Sequence, residues 1–164
     1  MPACQYCTPE WLNESAKIYR SNPNFQNKLK NLAAKMCYRV KAEPAWGIEK
    51  DIIFGMFVEN GVLTQMDFFT EEQALDQAEY ILSATPQEWK KILRRKSKFV
   101  TEFVLGKIKL EHGSKVGVLA VAPHANTVVE SLTQVELQFP DEMSAEELAK
   151  YRSDFQEFRT RLGV

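Results

Sequence analysis

Few side chains in this sequence are suited to covalent or metal chemistry: three cysteines and two histidines in 164 residues. Cys4 and Cys7 stand at the spacing of half a zinc or redox site. A complete zinc site needs two more ligands, for which Cys37, His112 and His124 are the soft candidates, and nothing in the sequence brings them together. The default reading of Cys4 and Cys7 is a pair of thiols in a mobile N-terminal tail. No metal is expected. Cys37 with either histidine would pair a nucleophile with a base, yet no third group is placed to orient the base. There is no Gly-rich phosphate loop, no Gly-x-Ser-x-Gly turn and no His-Glu-x-x-His helix. The expectation is a protein that is not an enzyme and needs no cofactor.

Two larger sets of residues invite a binding role instead. Lys90, Lys91, Arg94, Arg95, Lys96 and Lys98 crowd around the apolar stripe Trp89, Ile92 and Leu93. Such a cluster is most often a solvated face. Its functional reading is docking of an anionic headgroup or a transient membrane surface, with Lys90, Lys91, Arg94 and Arg95 as the docking residues. Nucleic acid ranks below this, because Trp89, Phe99 and Phe103 fall on faces that read as buried and so cannot stack on bases. The second set is Phe54, Met56, Phe57, Met66, Phe68, Phe99 and Phe103. Singly each reads as core; together, on opposing elements, methionine and phenylalanine can line an adaptable apolar cavity.

The elements that must position these residues are plainly marked. Thr8-Pro9 and Asn22-Pro23 each put a capping residue before a helical proline, with Leu12, Ala16 and Tyr19 on one helix. Phe25, Leu29, Leu32 and Ala33 form the stripe of a second. Alternation over 37–41 reads as a strand, and 52–58 as a strand apolar on both faces that lies inside a sheet. Asn60-Gly61 predicts a type I′ hairpin returning through 62–69. There Thr64, Met66 and Phe68 share one face, suited to the interior, and Leu63, Gln65, Asp67 and Phe69 the other. Thr70 to Gln73 is a capping box before a short helix, and 80–82 is a fourth strand. Thr85-Pro86-Gln87-Glu88 starts the helix of Trp89, with Glu88 able to close a second box. Phe99, Val100, Phe103 and Val104 form a short aromatic helix that Gly106 stops, and 107–111 alternates as a fifth strand. Val118, Val121, Ala122, Ala125, Val129 and Leu132 keep a helical stripe that Pro123 must bend or split.

Helix, helix, strand, helix is thus the order around Trp89. That order, with Ser83-Ala84-Thr85 before it and Gly106-Lys107-Ile108-Lys109-Leu110 to Gly113 after the aromatic helix, resembles the sterol carrier protein 2 family of lipid-binding domains. The resemblance covers roughly residues 11–132. A glycine that these proteins often show after the first of the two helices is replaced here by Arg94-Arg95-Lys96, so the connection between the helices is expected to differ. The resemblance implies an α+β fold: a five-stranded, largely antiparallel sheet covered by helices, with an apolar tunnel between. It also implies non-enzymatic binding and transfer of a sterol, fatty acid or fatty acyl-CoA, with Phe54, Met56, Phe57, Met66, Phe68, Trp89, Phe99 and Phe103 as the lipid-binding residues.

The length suits one domain with a full core, and 45% hydrophobic content argues against disorder. A net charge of −1 gives no global pull on nucleic acid or anionic lipid. With no run of eighteen apolar residues and no signal-like N-terminus, the protein is expected to be soluble and cytoplasmic. The expected organisation is a tail at 1–7, the lipid-binding domain at 8–133, and a linker with an amphipathic helix at 134–164. Ser144 to Glu147 caps that last helix, whose seam Leu148, Tyr151, Phe155, Phe158 and Leu162 is too apolar for water. Folding back over the domain as a lid hides it, and so does pairing with a second chain. The competing function is therefore a protein–protein interaction module, dimerising or docking to an enzyme, without a ligand.

Overall fold

A computed structural model describes residues 3–164. Helix starts follow their capping chemistry. The Thr8 hydroxyl accepts from the Trp11 N–H (3.3 Å) at the head of α1 (Pro9–Ser21), and the Asn22 side chain accepts from Asn24 (3.0 Å) ahead of α2 (Pro23–Lys28). Both halves of the box form at Thr70 and Gln73, before α3 (Glu71–Gln77), and at Ser144 and Glu147, before α8 (Ala145–Leu162). At α4 (Pro86–Leu93) only the Thr85 half forms. Glu88 turns away to pair with Lys91 at 3.0 Å, one turn along the same helix, so the box expected there stays open.

Among the described residues the main sheet has five strands in the order β4-β3-β2-β5-β6. These are β2 (Ala33–Val40), β3 (Ile52–Glu59), β4 (Val62–Phe69), β5 (Tyr80–Ala84) and β6 (Lys109–His112). Within this sheet only the β2–β5 pair is parallel. β3 is buried on both faces from Ile52 to Val58, as its unbroken apolar run requires. Asn60 (φ +50°) and Gly61 (φ +83°) make the tight return to β4. A side chain at Gly61 would strike the Gln26 carbonyl, because α2 packs directly on this turn.

In two places the chain departs from its sequence pattern. The stripe through Leu29, Leu32 and Ala33 does not continue α2, which ends at Lys28; Ala33 already belongs to β2, where an eight-residue ladder with β3 outweighs another turn of helix. In β4 a bulge falls at Thr64: Phe57 pairs with Gln65, but Val58 pairs with Leu63. An extra residue reverses the alternation beyond it. Leu63 and Met66 therefore both point into the core, while Thr64 faces solvent and donates its hydroxyl to the Phe57 carbonyl at 3.2 Å.

Helix α3 covers one face of the sheet over Cys37, Ile53, Phe57, Phe69 and Ile81. The other face carries the main core and the other helices, including α5 (Phe99–Val104), α6 (Lys115–Val121) and α7 (Ala125–Leu132). The break at Pro123 takes the form of a single 3₁₀ turn, Ala122–His124. Between α4 and α5, Arg95 adopts a left-handed conformation (φ +59°), the geometry a glycine adopts without strain.

Residues 3–7 are not a mobile tail; Met1 and Pro2, the rest of the expected tail, lie outside the described residues. Ala3–Gln5 (β1) pairs in parallel with Glu136–Gln138 (β7), inside the stretch that reads as a linker. This strap buries both Cys4 and Cys7, and all three cysteines are free thiols. The final helix folds back on its own chain. Tyr151, Phe155 and Phe158 are buried, the Tyr151 hydroxyl donates to the Tyr6 carbonyl at 2.6 Å, and Phe158 stacks on Phe68. Those three rings are hidden within the chain itself, while Leu148 is half-buried and Leu162, at the end of the seam, is exposed. No helix of the described residues is long and apolar enough to cross a membrane.

Candidate functional site

An apolar cavity of about 80 Å³ lies between the sheet and its helical cover. Its floor comes from period-two alternation: Ala34, Met36 and Tyr38 of β2 point to one side, and Phe54 of β3 sits directly opposite Tyr38. Its roof is helical: Trp89, Ile92 and Leu93 come from one face of α4, Phe99 opens α5, and Val121, Ala125, Val128 and Leu132 follow through α6 and α7. Tyr6 and His124 are further wall residues with polar tips.

Aromatic contacts fix the wall. The Tyr38 ring meets Phe54 at 5.2 Å and Trp89 edge-on at 5.6 Å, and the Trp89 indole N–H donates to the Arg39 carbonyl at 3.0 Å. Behind Phe54, Trp11 approaches edge-on at 5.4 Å and donates its indole N–H to the Leu132 carbonyl at 2.9 Å, tying the end of α7 to α1.

Of the eight aromatic and methionine residues singled out in the sequence, Phe54, Trp89 and Phe99 line this cavity. Phe103 stacks on Phe99 at 5.9 Å without lining it. Met56 and Met66 are packed core, and Phe68 is covered by Phe158. Phe57 lies on the opposite face under α3, stacked on Phe69, and cannot reach the cavity. The sequence reading missed the β2 side of the wall: the strand was read only over 37–41, short of Ala34 and Met36, and only the sheet order puts β2 beneath the roof.

The basic cluster divides in two. Lys90 pairs with Asp141 (2.9 Å), Arg94 pairs with Glu142 (2.9 Å) and donates to the Leu137 carbonyl (3.0 Å), and both cations lie over the Phe139 ring at 5.3 and 5.0 Å. These two hold the Phe139-Pro140 corner in place. Lys91 pairs with Glu88, whereas Arg95, Lys96 and Lys98 are exposed and make no ion pair among the described residues.

No dyad forms at Cys37. It faces α3, and Ile81 stands between it and His112 across the sheet, a separation of two strand spacings, about 10 Å. Among the described residues no group of three or more His, Cys, Asp or Glu could hold a metal ion. Burial pushes the Cys37 thiol from 9.0 up to about 12, and it raises the Cys7 thiol and the Tyr6, Tyr38 and Tyr151 phenols as well. The folded chain thus holds these protons more tightly than the unfolded chain. The stability they contribute is complete below about pH 9 and is lost as pH rises toward about 12. In urea titrations we expect a clearly lower unfolding midpoint at about pH 10.5 than at about pH 8; equal midpoints would place these groups in contact with water.

No protein-family model matches the chain, and the comparison with curated proteins finds no match. Similarity to solved structures is clear. A solution structure of a conserved hypothetical protein from Thermus thermophilus matches with a TM-score of 0.67 at 14% identity, over 80% of this chain and 90% of that one. A crystal structure of sterol carrier protein 2 matches with a TM-score of 0.65 at 15% identity, over 78% and 97%. The apo form of sterol carrier protein 2 from Yarrowia lipolytica matches at 0.52 and 10% identity, over 76% and 88%. The cavity therefore lies within a domain that has the sterol carrier protein 2 fold.

Proposed function

We propose that this protein binds a lipid in the cavity and transfers it: a sterol, a fatty acid or a fatty acyl-CoA. The observation that carries this reading is an apolar space bounded by two sheet strands on one side and by α4, α5, α6 and α7 on the other. Small-molecule pockets usually enclose about 300–1,000 Å³, so loading a lipid requires the roof to part. Helices of six, seven and eight residues (α5, α6 and α7) make a cover suited to that movement, since helices so short draw their stability from packing rather than from themselves. Burial of each methylene contributes about 0.8 kcal/mol, so a chain of a dozen carbons binds without any reactive residue. A carrier of this kind needs no cofactor.

The experiment is mass spectrometry of lipid extracted from the purified protein, followed by titration of the delipidated protein with a fluorescent fatty acid. Saturable binding at micromolar concentration is expected. A flat titration and an empty extract would leave the interaction module as the better reading, with a partner surface other than the buried seam of α8.

The proposed membrane contact rests on Arg95, Lys96 and Lys98. Replacing Arg95 and Lys96 by glutamate is expected to weaken binding to anionic vesicles, as added salt does for the parent protein, with no change in thermal stability. Reversing Lys90 and Arg94 should instead lower stability, by setting two acids against Asp141 and Glu142 beneath Phe139. Vesicle binding that is indifferent to the first pair would return the cluster to ordinary solvated surface.

A further inference from the structure

Tyr6, one of the residues lining the cavity, carries a hydroxyl that is enclosed and unsatisfied. The Trp89 indole is bonded to Arg39, and Tyr38 and His124 are only half-buried. Tyr6, by contrast, has no exposed surface, and its hydroxyl has no hydrogen-bond partner among the described residues. Nearly all buried hydroxyls in folded proteins are paired, and each exception calls for a reason.

Nor can the ring swing away to find a partner. It stacks on Phe139 at 4.8 Å and leans on Trp11 at 5.3 Å. Its backbone is held from both sides, with the N–H donating to the Gln138 carbonyl at 3.0 Å and the carbonyl accepting from Tyr151. The β1–β7 strap and α8 thus fix the position of a hydroxyl that nothing in the protein uses.

Building on the lipid-carrier reading, we propose that the Tyr6 hydroxyl anchors the polar end of the ligand and selects aliphatic molecules whose head is one uncharged oxygen, an alcohol or a carbonyl. Burial keeps the phenol protonated, so it is available as a donor. The wall residues include no lysine or arginine. A carboxylate set against Tyr6 would therefore be a buried charge without a counter-ion, which is far more costly than a neutral oxygen in the same place.

The test compares the parent protein with Tyr6→Phe, using displacement of bound N-phenyl-1-naphthylamine by dodecan-1-ol, 2-tridecanone and dodecanoate at pH 8. Dodecanol and the ketone should bind the parent more tightly than dodecanoate, and both should lose about fivefold in Tyr6→Phe, the worth of one neutral hydrogen bond. The dye, which has no oxygen, should bind both proteins equally. Without ligand, Tyr6→Phe should melt about 3 °C higher, because an unpaired buried hydroxyl has been removed. Unchanged alcohol affinity, or an equal loss for alcohol and dye, would overturn the anchor while leaving the carrier reading intact. If neither dye nor alcohol binds the parent, the carrier reading falls and the anchor with it.

Discussion

A chain ending before Ser144 is expected to be largely unfolded under conditions where the full chain is native. The part removed includes Tyr151, Phe155 and Phe158, all buried, and burying three such rings contributes about 6 kcal/mol. The loss also uncovers Phe68 and strips the Tyr6 carbonyl of the Tyr151 hydroxyl. Arg159 donates to the carbonyls of Lys50 and Asp51 at 2.8 and 2.7 Å, and Arg152 to that of Pro44 at 2.9 Å, so the approach to β3 loses its tether too. Against a total stability of about 5–15 kcal/mol for a domain, that is a large fraction. Urea unfolding followed by circular dichroism provides the measurement, with Phe155→Ala as the milder variant, expected to cost about 3–5 kcal/mol. A truncated chain with the parent's midpoint would show that α8 is an accessory to the fold.

The same helix marks how far the sequence could be read. Its existence, cap and apolar seam were all legible, because Ser144 to Glu147 and the three-and-four spacing are local signals. What the seam covers was not. It seals against Tyr6 and Phe68 and contributes nothing to the cavity wall, so the expected lid over a tunnel mouth is not what the helix forms. Strand pairing shows the same division. Asn60-Gly61 announced the β3–β4 turn, but β1 and β7 are three residues each and join positions more than a hundred residues apart, with no alternation long enough to notice. The bulge at Thr64 was equally silent, since both faces of β4 hold apolar residues and only pairing with β3 decides which turns inward. For the cavity, Phe54, Trp89 and Phe99 could be picked out as large apolar groups on facing elements. Met36 and Tyr38 required knowing that β2 occupies the middle of the sheet. Lys90 and Arg94 read as free cations because their partners, Asp141 and Glu142, lie some fifty residues further along the chain.

Filling the cavity should weaken binding without harming the fold. Ala125 lines the roof from α7, and a phenyl ring in its place is large enough to take up most of about 80 Å³. Filling empty space in an otherwise packed core restores lost van der Waals contact, so Ala125→Phe is expected to melt at or above the parent temperature. Ligand would then have to displace the ring. An overpacked site costs about 1–3 kcal/mol, so affinity for a fluorescent fatty acid should fall by about five- to 150-fold. Phe54→Ala makes the opposite change. Emptying the wall between Tyr38 and Trp11 should destabilise the ligand-free protein by about 3–5 kcal/mol. Because a ligand held only by the folded state adds about 2.7 kcal/mol at a hundred times its Kd, lipid should recover much of that loss. The two variants therefore diverge if the space is a binding site: one stable and unresponsive to lipid, the other unstable and rescued by it. If Ala125→Phe binds lipid as the parent does, the space is a packing defect and the ligand, if there is one, sits elsewhere.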